Sequence, residues 1–205
     1  MTTTLNTIVL SQALPAGTYT LSPVGAVVTP PPPSPPPAVG TLLIFHNGVM
    51  DDTQGEYDFG SGTVQDSALS PDVPGLKVIL VTGDEGLQIR MPGDDLNSAP
   101  FGANGYVSVT CKAKLPNTTI TTGAEEIGDV TIPNTHGMFN IAPYAIPSSP
   151  TDPAGFTTYH IPLSAYGIVN GLHVYKFAFL GNTTAPGGNA ANQIEYSDFV
   201  IVPAS

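Results

Sequence analysis

From Thr41 to Val202 the chain is cut into short apolar or alternating runs, each ended by Gly, Pro, Asn or Asp. The runs cover residues 41–45 (TLLIF), 55–59 (GEYDF), 76–81 (LKVILV), 86–91 (GLQIRM), 106–115 (YVSVTCKAKL), 129–132 (DVTI), 157–161 (TTYHI), 172–180 (LHVYKFAFL) and 195–202 (EYSDFVIV). None repeats with the 3.6-residue period of an amphipathic helix. Strand-length runs at this spacing, closed by turn residues, predict an all-β chain: an antiparallel β-sandwich of jelly-roll type. Composition agrees, because 22 Gly and 22 Pro in 205 residues, with only 10% charged residues, suit neither a helical bundle nor a coiled coil.

A second feature divides the chain. Seven of the eight residues from Pro30 to Pro37 are proline, interrupted by Ser34. Such a run takes the polyproline II form and extends about 3.1 Å per residue, so it is read as a semi-rigid linker. Before it, residues 6–11 and 17–22 flank a Leu14-Pro-Ala-Gly turn and predict a β-hairpin. A lone hairpin is marginal in water, so this segment is expected to find a partner surface, either the main sheet or another protein subunit. The expected organisation is a hairpin or anchor segment at 1–29, a linker at 30–37 and a sandwich domain at 38–205.

Charge narrows the partners. Sixteen acidic residues against five Lys and Arg give a formal charge of −11, so neither nucleic acid nor an anionic membrane surface is an expected partner. No apolar stretch approaches the roughly 20 residues that span a bilayer. The N-terminus, MTTTLN, lacks the basic start and apolar run of an export signal, so the chain reads as a small stand-alone product. Cys111, the single cysteine, lies on one strand face with Val107, Val109 and Ala113 and is expected to be buried and inert.

Catalytic patterns are sparse. Four scattered histidines (His46, His136, His160, His173) have no zinc-site spacing, and there is no nucleophile elbow or phosphate loop. The acidic pairs Asp94/Asp95 and Glu125/Glu126 read as solvated loop residues, and Glu56/Asp58 as the polar face of a strand with Tyr57 and Phe59 opposite. The expectation is a non-enzyme. In the last run, alternation puts Ile194, Tyr196, Asp198, Val200 and Val202 on one face and Glu195, Phe199 and Ile201 on the other. A carboxylate on so apolar a face has to be paired or coordinated, which singles out Asp198. In 173–179 the same alternation lines up His173, Tyr175, Phe177 and Phe179 as an aromatic ladder. Asn117-Thr-Thr and Asn182-Thr-Thr match the N-glycosylation pattern but are read as turns.

The order of these features resembles the jelly-roll, galactose-binding-like carbohydrate-binding modules that accompany bacterial glycoside hydrolases. Leu43-Ile-Phe-His-Asn stands where those modules open with a "hydrophobic-Ile-Tyr-Asp" strand, and Tyr57-Asp-Phe-Gly60 where they carry "Trp-x-Trp-Gly". Gly75-Leu-Lys-Val-Ile-Leu, Gly86-Leu-Gln-Ile and Asn104-Gly-Tyr-Val-Ser-Val-Thr-Cys-Lys follow in the same order. Ile161-Pro-Leu-Ser164 and Ile194-Glu-Tyr-Ser-Asp-Phe-Val-Ile201 match the closing motifs. The resemblance covers about four fifths of the chain. It departs in having no Trp, with Tyr57 and Phe59 in the tryptophan positions. It implies a glycan-binding role for aromatic platforms, here Tyr57, Phe59, Tyr144 and Tyr159. It also implies a structural calcium on the last-strand aspartate, Asp198, with Asn47, Asp51 or Asp52 from the first strand region as partners; the alternative is Asp198 bonded to backbone or to Lys176. Two functions follow as expectations. One is a surface-displayed decoration component of a phage virion, anchored through residues 1–29 and carrying a carbohydrate-binding-type head that contacts cell-surface glycans, located on the virion or an extracellular surface. The other is a glycan-binding module of a polysaccharide-degrading system.

Overall fold

Alternation of the sequence turns into strands almost wherever it was read. The structure, a computed structural model, describes residues 40–50, 56–60, 62–90, 96–97, 101–102, 104–126, 137–168 and 173–204, with backbone alone at 56–60, 96–97, 125–126 and 173–175. The expected hairpin at 1–29, the linker at 30–37, the run at 129–132 and Asp51 lie outside the described residues.

Among the described residues there are thirteen strands: β1 Leu42–His46, β2 Val49–Met50, β3 Glu56–Gly60, β4 Thr63–Leu69, β5 Lys77–Thr82, β6 Glu85–Arg90, β7 Leu96–Asn97, β8 Tyr106–Ala113, β9 Thr118–Glu126, β10 Phe139–Asn140, β11 Thr157–Pro162, β12 His173–Thr183 and β13 Gln193–Val202. Among the described residues there is no α-helix, only short 3-10 turns. The strands form two antiparallel sheets. The first runs β11-β8-β13-β1-β2, and β5, which carries β4, shares with β1 the same edge of β13. The second runs β10-β9-β12-β6-β3, with β7 beside the start of β12. The fold is the expected all-β, antiparallel β-sandwich of jelly-roll type.

Apolar side chains of the two inner faces fill the space between the sheets. Ile44, Phe45, Ile79, Val107, Val109, Phe199 and Ile201 from the first sheet meet Leu87, Ile89, Phe177 and Phe179 from the second, all fully buried. An aromatic chain runs through this layer: Phe139 to Tyr166, Tyr166 to Phe177, Phe177 to Phe199, Phe199 to Phe179 and Phe179 to Tyr196, with ring centroids between 5.0 and 6.4 Å apart. The offset and edge-on geometries place ring edges on ring faces, as the aromatic quadrupole favours. Cys111 is buried as expected, and burial pushes its thiol up to about 12. In β12 the described part of the expected ladder, Phe177 and Phe179, faces the core.

One expected strand phase is corrected. In β13 the register slips between Tyr196 and Asp198, a β-bulge at Ser197. One extra residue reverses the alternation. Ile194 and Tyr196 therefore face the core together with Phe199 and Ile201, and Asp198 lies on the outer face with Val200 and Val202. In β3 the pairing sets Glu56 and Asp58 opposite the core residues Ile89 and Leu87, and Tyr57 and Phe59 opposite Gln88 and Gly86. Of the two glycosylation-type asparagines, Asn117 sits in the β8–β9 turn with φ +58°, whereas Asn182 is inside β12, opposite Thr119, and is not a turn.

Candidate functional site

Two outer sheet faces and the side openings of the sandwich are the places where a ligand could meet this fold. On the first sheet the outer face is internally satisfied. Thr110 and Thr158 bond each other across β8 and β11 at 2.8 Å, and Thr158 also donates to Asp152. The Tyr106 and His160 rings pack with centroids 4.5 Å apart. Burial holds the His160 imidazole below its usual range, with Asp152 opposing that shift. Asp198 finds its partner here too: its Oδ1 lies 2.7 Å from His46 Nδ1. Burial raises the Asp198 carboxyl above the ordinary aspartate value, and the His46 hydrogen bond works against that rise. Neither Lys176 nor backbone fills this role. The pairing escaped sequence reading because it depends on the β1–β13 register and on the bulge at Ser197, which join residues 152 apart in sequence.

Of the expected calcium ligands, Asp198 and Asn47 are described and Asp51 and Asp52 lie outside the described residues. Calcium wants six to eight oxygen ligands. Asp198 is occupied by an imidazole nitrogen, and Asn47 is spent on the β1–β2 hairpin, where Asn47 (φ +51°) and Gly48 (φ +77°) form the left-handed two-residue turn favoured by Asn-Gly. Among the described residues no group of three or more His, Cys, Asp and Glu side chains gathers in a way that could hold a metal.

Further along the same face, the Glu195 carboxylate accepts a hydrogen bond from the Ser70 hydroxyl, and the Ser70 oxygen in turn accepts the Val73 amide at 2.9 Å. Burial raises the Glu195 carboxyl. Lys112 pairs with Asp72 and holds that carboxyl below its ordinary value. This network fastens the 70–76 loop to the sheet and leaves little free hydrogen-bonding capacity.

The outer face of the second sheet is built differently. Because Leu87, Ile89, Phe177, Phe179 and Ala124 point into the core, their neighbours form rows on the outside. One row passes from Tyr57 on β3 through Gln88 and Ala178 to Gly123. The next passes from Phe59 through Gly86 and Leu180 to Thr121. A third links Arg90, Lys176 and Glu125. Small residues (Gly86, Ala178, Gly123) occupy the middle of these rows, Gly86 and Gly123 buried and Ala178 half-buried.

The structure does not bring the four expected aromatic platforms to one place. Tyr57 and Phe59 share β3 at one edge of the second sheet. Tyr144 and Tyr159 belong to the opposite side of the sandwich, where Ala145 bridges to Tyr159. Tyr144 is half-buried and meets Phe139 edge-on at 6.0 Å. Tyr159 lines a side cleft of about 310 Å³ with Cys111, Thr118, Ile120, Asn140 and Thr157. Burial raises its phenol above the usual tyrosine range.

No protein-family model matches the chain, and no curated protein matches it either. Solved structures do. The chain is similar to the family 30 carbohydrate-binding module of the cellulosomal cellulase Cel9D-Cel44B of Clostridium thermocellum, at 14% identity and a TM-score of 0.53, over 80% of this chain and 98% of that one. A second family 30 carbohydrate-binding module matches at 13% identity and a TM-score of 0.52, over 80% of this chain and 99% of that one.

The fold is the sandwich of carbohydrate-binding modules. A match at this identity establishes architecture and leaves function to the site.

Proposed function

We propose that the protein is a non-catalytic glycan-binding module whose binding surface is the outer face of the second sheet. The observation that carries this reading is the row order Tyr57–Gln88–Ala178–Gly123 beside Phe59–Gly86–Leu180–Thr121. A sugar ring offers an apolar C–H face and a rim of hydroxyls. It is best met by a floor of small residues, an aromatic ring for stacking, and amide or charged groups at hydroxyl distance. Tyr57 and Phe59 fall at the ends of these rows, and Gln88 places an amide in the first of them. Similarity in fold to two carbohydrate-binding modules supports the same reading.

Buried polar groups such as the Ser70–Glu195 pair hold loops to the sheets, which fits a rigid binding scaffold. Display on a phage virion through residues 1–29 concerns a segment outside the described residues, and no observation on the sandwich favours it. The test is a screen of the full-length chain on an array of plant, microbial and animal glycans. Retention on polysaccharide that is lost in Ala178→Arg, a change that puts a large charged side chain in the middle of the rows, supports the reading. A blank array, or binding indifferent to Ala178→Arg, contradicts it.

A further inference from the structure

We infer that the side cleft between β8–β11 and β9–β10 is a second binding site, separate from the sheet face, which takes a single neutral pyranose ring such as the terminal residue of a glycan. This inference does not rest on the sheet-face reading, since the two surfaces lie on different parts of the sandwich.

The cleft exists because the sheets part at this edge. In β11, Thr157 pairs with Cys111 and Tyr159 with Val109, so both residues lie on the inner side of the edge strand. Opposite them stand Ile120 of β9 and Ile141, whose amide donates to the Ile120 carbonyl at 3.1 Å. The volume of about 310 Å³ lies at the small end of ligand pockets, too small for an oligosaccharide and ample for one ring.

The lining is segregated by chemistry. Cys111, Ile120 and Ile141, all nearly fully buried, form an apolar floor. Thr118, Thr119, Asn140, Thr157 and Tyr159 place neutral hydroxyl and amide groups around it; Thr118 already donates to the Leu115 carbonyl and Asn140 Oδ1 accepts the Ala142 amide, which orients the remaining hydroxyl lone pairs and the Asn140 amide N–H groups. Lys112 is the cation of the lining, and its ammonium is committed to Asp72. Gly155, with φ +81°, lies against the Lys112 stem: a Cβ there would stand 3.4 Å from Lys112 Cε. A glycine here keeps that wall low. With its charge neutralised, the cleft matches neither a phosphate nor a carboxylate. An apolar floor inside a ring of neutral hydrogen-bonding groups matches the two-sided surface of a pyranose.

The test is an NMR titration of the isotope-labelled full-length chain with methyl glycosides of glucose, galactose, mannose and xylose, carried to about 50 mM, well above a Kd on the order of 1 mM expected of a small, weak ligand. The expected result is saturable amide shifts at 118–120, 140–142 and 157–159 with at least one glycoside. Thr157→Val, which keeps shape and removes a hydroxyl, weakens Kd about tenfold, as loss of one hydrogen bond implies. Thr119→Trp, at an exposed position on the rim, abolishes the shifts while the melting temperature stays near that of the parent. Ala178→Arg leaves them unchanged, which separates this site from the sheet face. No saturable shift with any glycoside, shifts confined to β6 and β12, an equal response to glycerol, or an unaltered Kd in Thr157→Val would each overturn the inference.

Discussion

Phe179 of the second sheet meets Phe199 of the first at a ring-centroid distance of 5.4 Å and an interplanar angle of 89°, both side chains fully buried. This T-shaped contact joins the central strands of the two layers, and Phe199 reaches it only because the bulge at Ser197 turns it inward. Truncating either ring to Ala is expected to cost about 3–5 kcal/mol, from lost transfer energy plus the cavity left behind. The double variant should show a coupling of about 0.5–1.5 kcal/mol between the rings. Urea denaturation of the two single variants and the double variant measures both quantities, and additive losses would show that the rings do not cooperate.

His46 and Asp198 carry the next prediction. Removing the imidazole in His46→Ala leaves a largely buried carboxylate without its partner, and the expected cost is about 1–3 kcal/mol near neutral pH. The loss should shrink in acid, where Asp198 takes up a proton and no longer needs a cationic or donor neighbour. Since the partner is a side chain of this protein, the melting temperature of the parent should be the same with about 1 mM calcium as with a chelator. A rise of several degrees on adding calcium would reveal a cation bound to the native state.

How far the sequence foretold this structure is best seen strand by strand. The long apolar runs that became β5, β8, β12 and β13 were visible because burial of one or both faces imposes alternation. The strand β9 was missed, since its Thr-rich segment TTITTGAEE shows no apolar phase: Thr122 sits in the core by donating to the Ala178 carbonyl at 2.9 Å and meeting Tyr166 Oη at 3.2 Å. β4 was missed because Ser67, with φ +51°, breaks its register. The bulge in β13 inserts one residue without any composition mark, so alternation alone puts Asp198 on the wrong face and gives no sign of its partner His46. The aromatic platforms were named from residue type alone. Only pairing could show that Tyr57 and Phe59 share rows with Gln88 and Gly86 while Tyr159 belongs to the far side.

Acid behaviour follows from Glu195. Burial raises its carboxyl above the ordinary 4.5, with the Ser70 hydrogen bond opposing the rise. The folded chain then holds this proton more tightly than the unfolded chain does. Its contribution to stability is fully present below about pH 4.5 and is lost as pH climbs through the raised folded value. Asp198 acts in the same direction, and Asp72, lowered by Lys112, in the opposite one. Glu195→Gln, which cannot ionise, should lose less stability than the parent between about pH 4.5 and pH 7. Equal slopes in denaturation curves across that range would contradict the assignment.

Cys111 supplies an internal reporter. Buried, and with its thiol pushed up to about 12, it should stay unmodified by thiol reagents in the native state at pH 8 and react fully once the sandwich is unfolded. Labelling followed by mass spectrometry under increasing urea should track the global unfolding transition. Reaction at the native baseline would mean that the β8–β11 edge opens on its own.

The central claim is that the outer face of the second sheet binds glycan. Affinity electrophoresis of the full-length chain through gels containing soluble polysaccharides tests it most directly, with the parent beside Tyr57→Ala, Phe59→Ala, Gln88→Ala and Ala178→Arg. The expected result is retardation of the parent by at least one polysaccharide. The three alanine variants should each weaken it by about tenfold or more, as loss of a stacking ring or a sugar hydrogen bond implies. Ala178→Arg should run unretarded while melting like the parent. Retardation that is unchanged in all four variants, or a parent that no polysaccharide slows, would contradict the account.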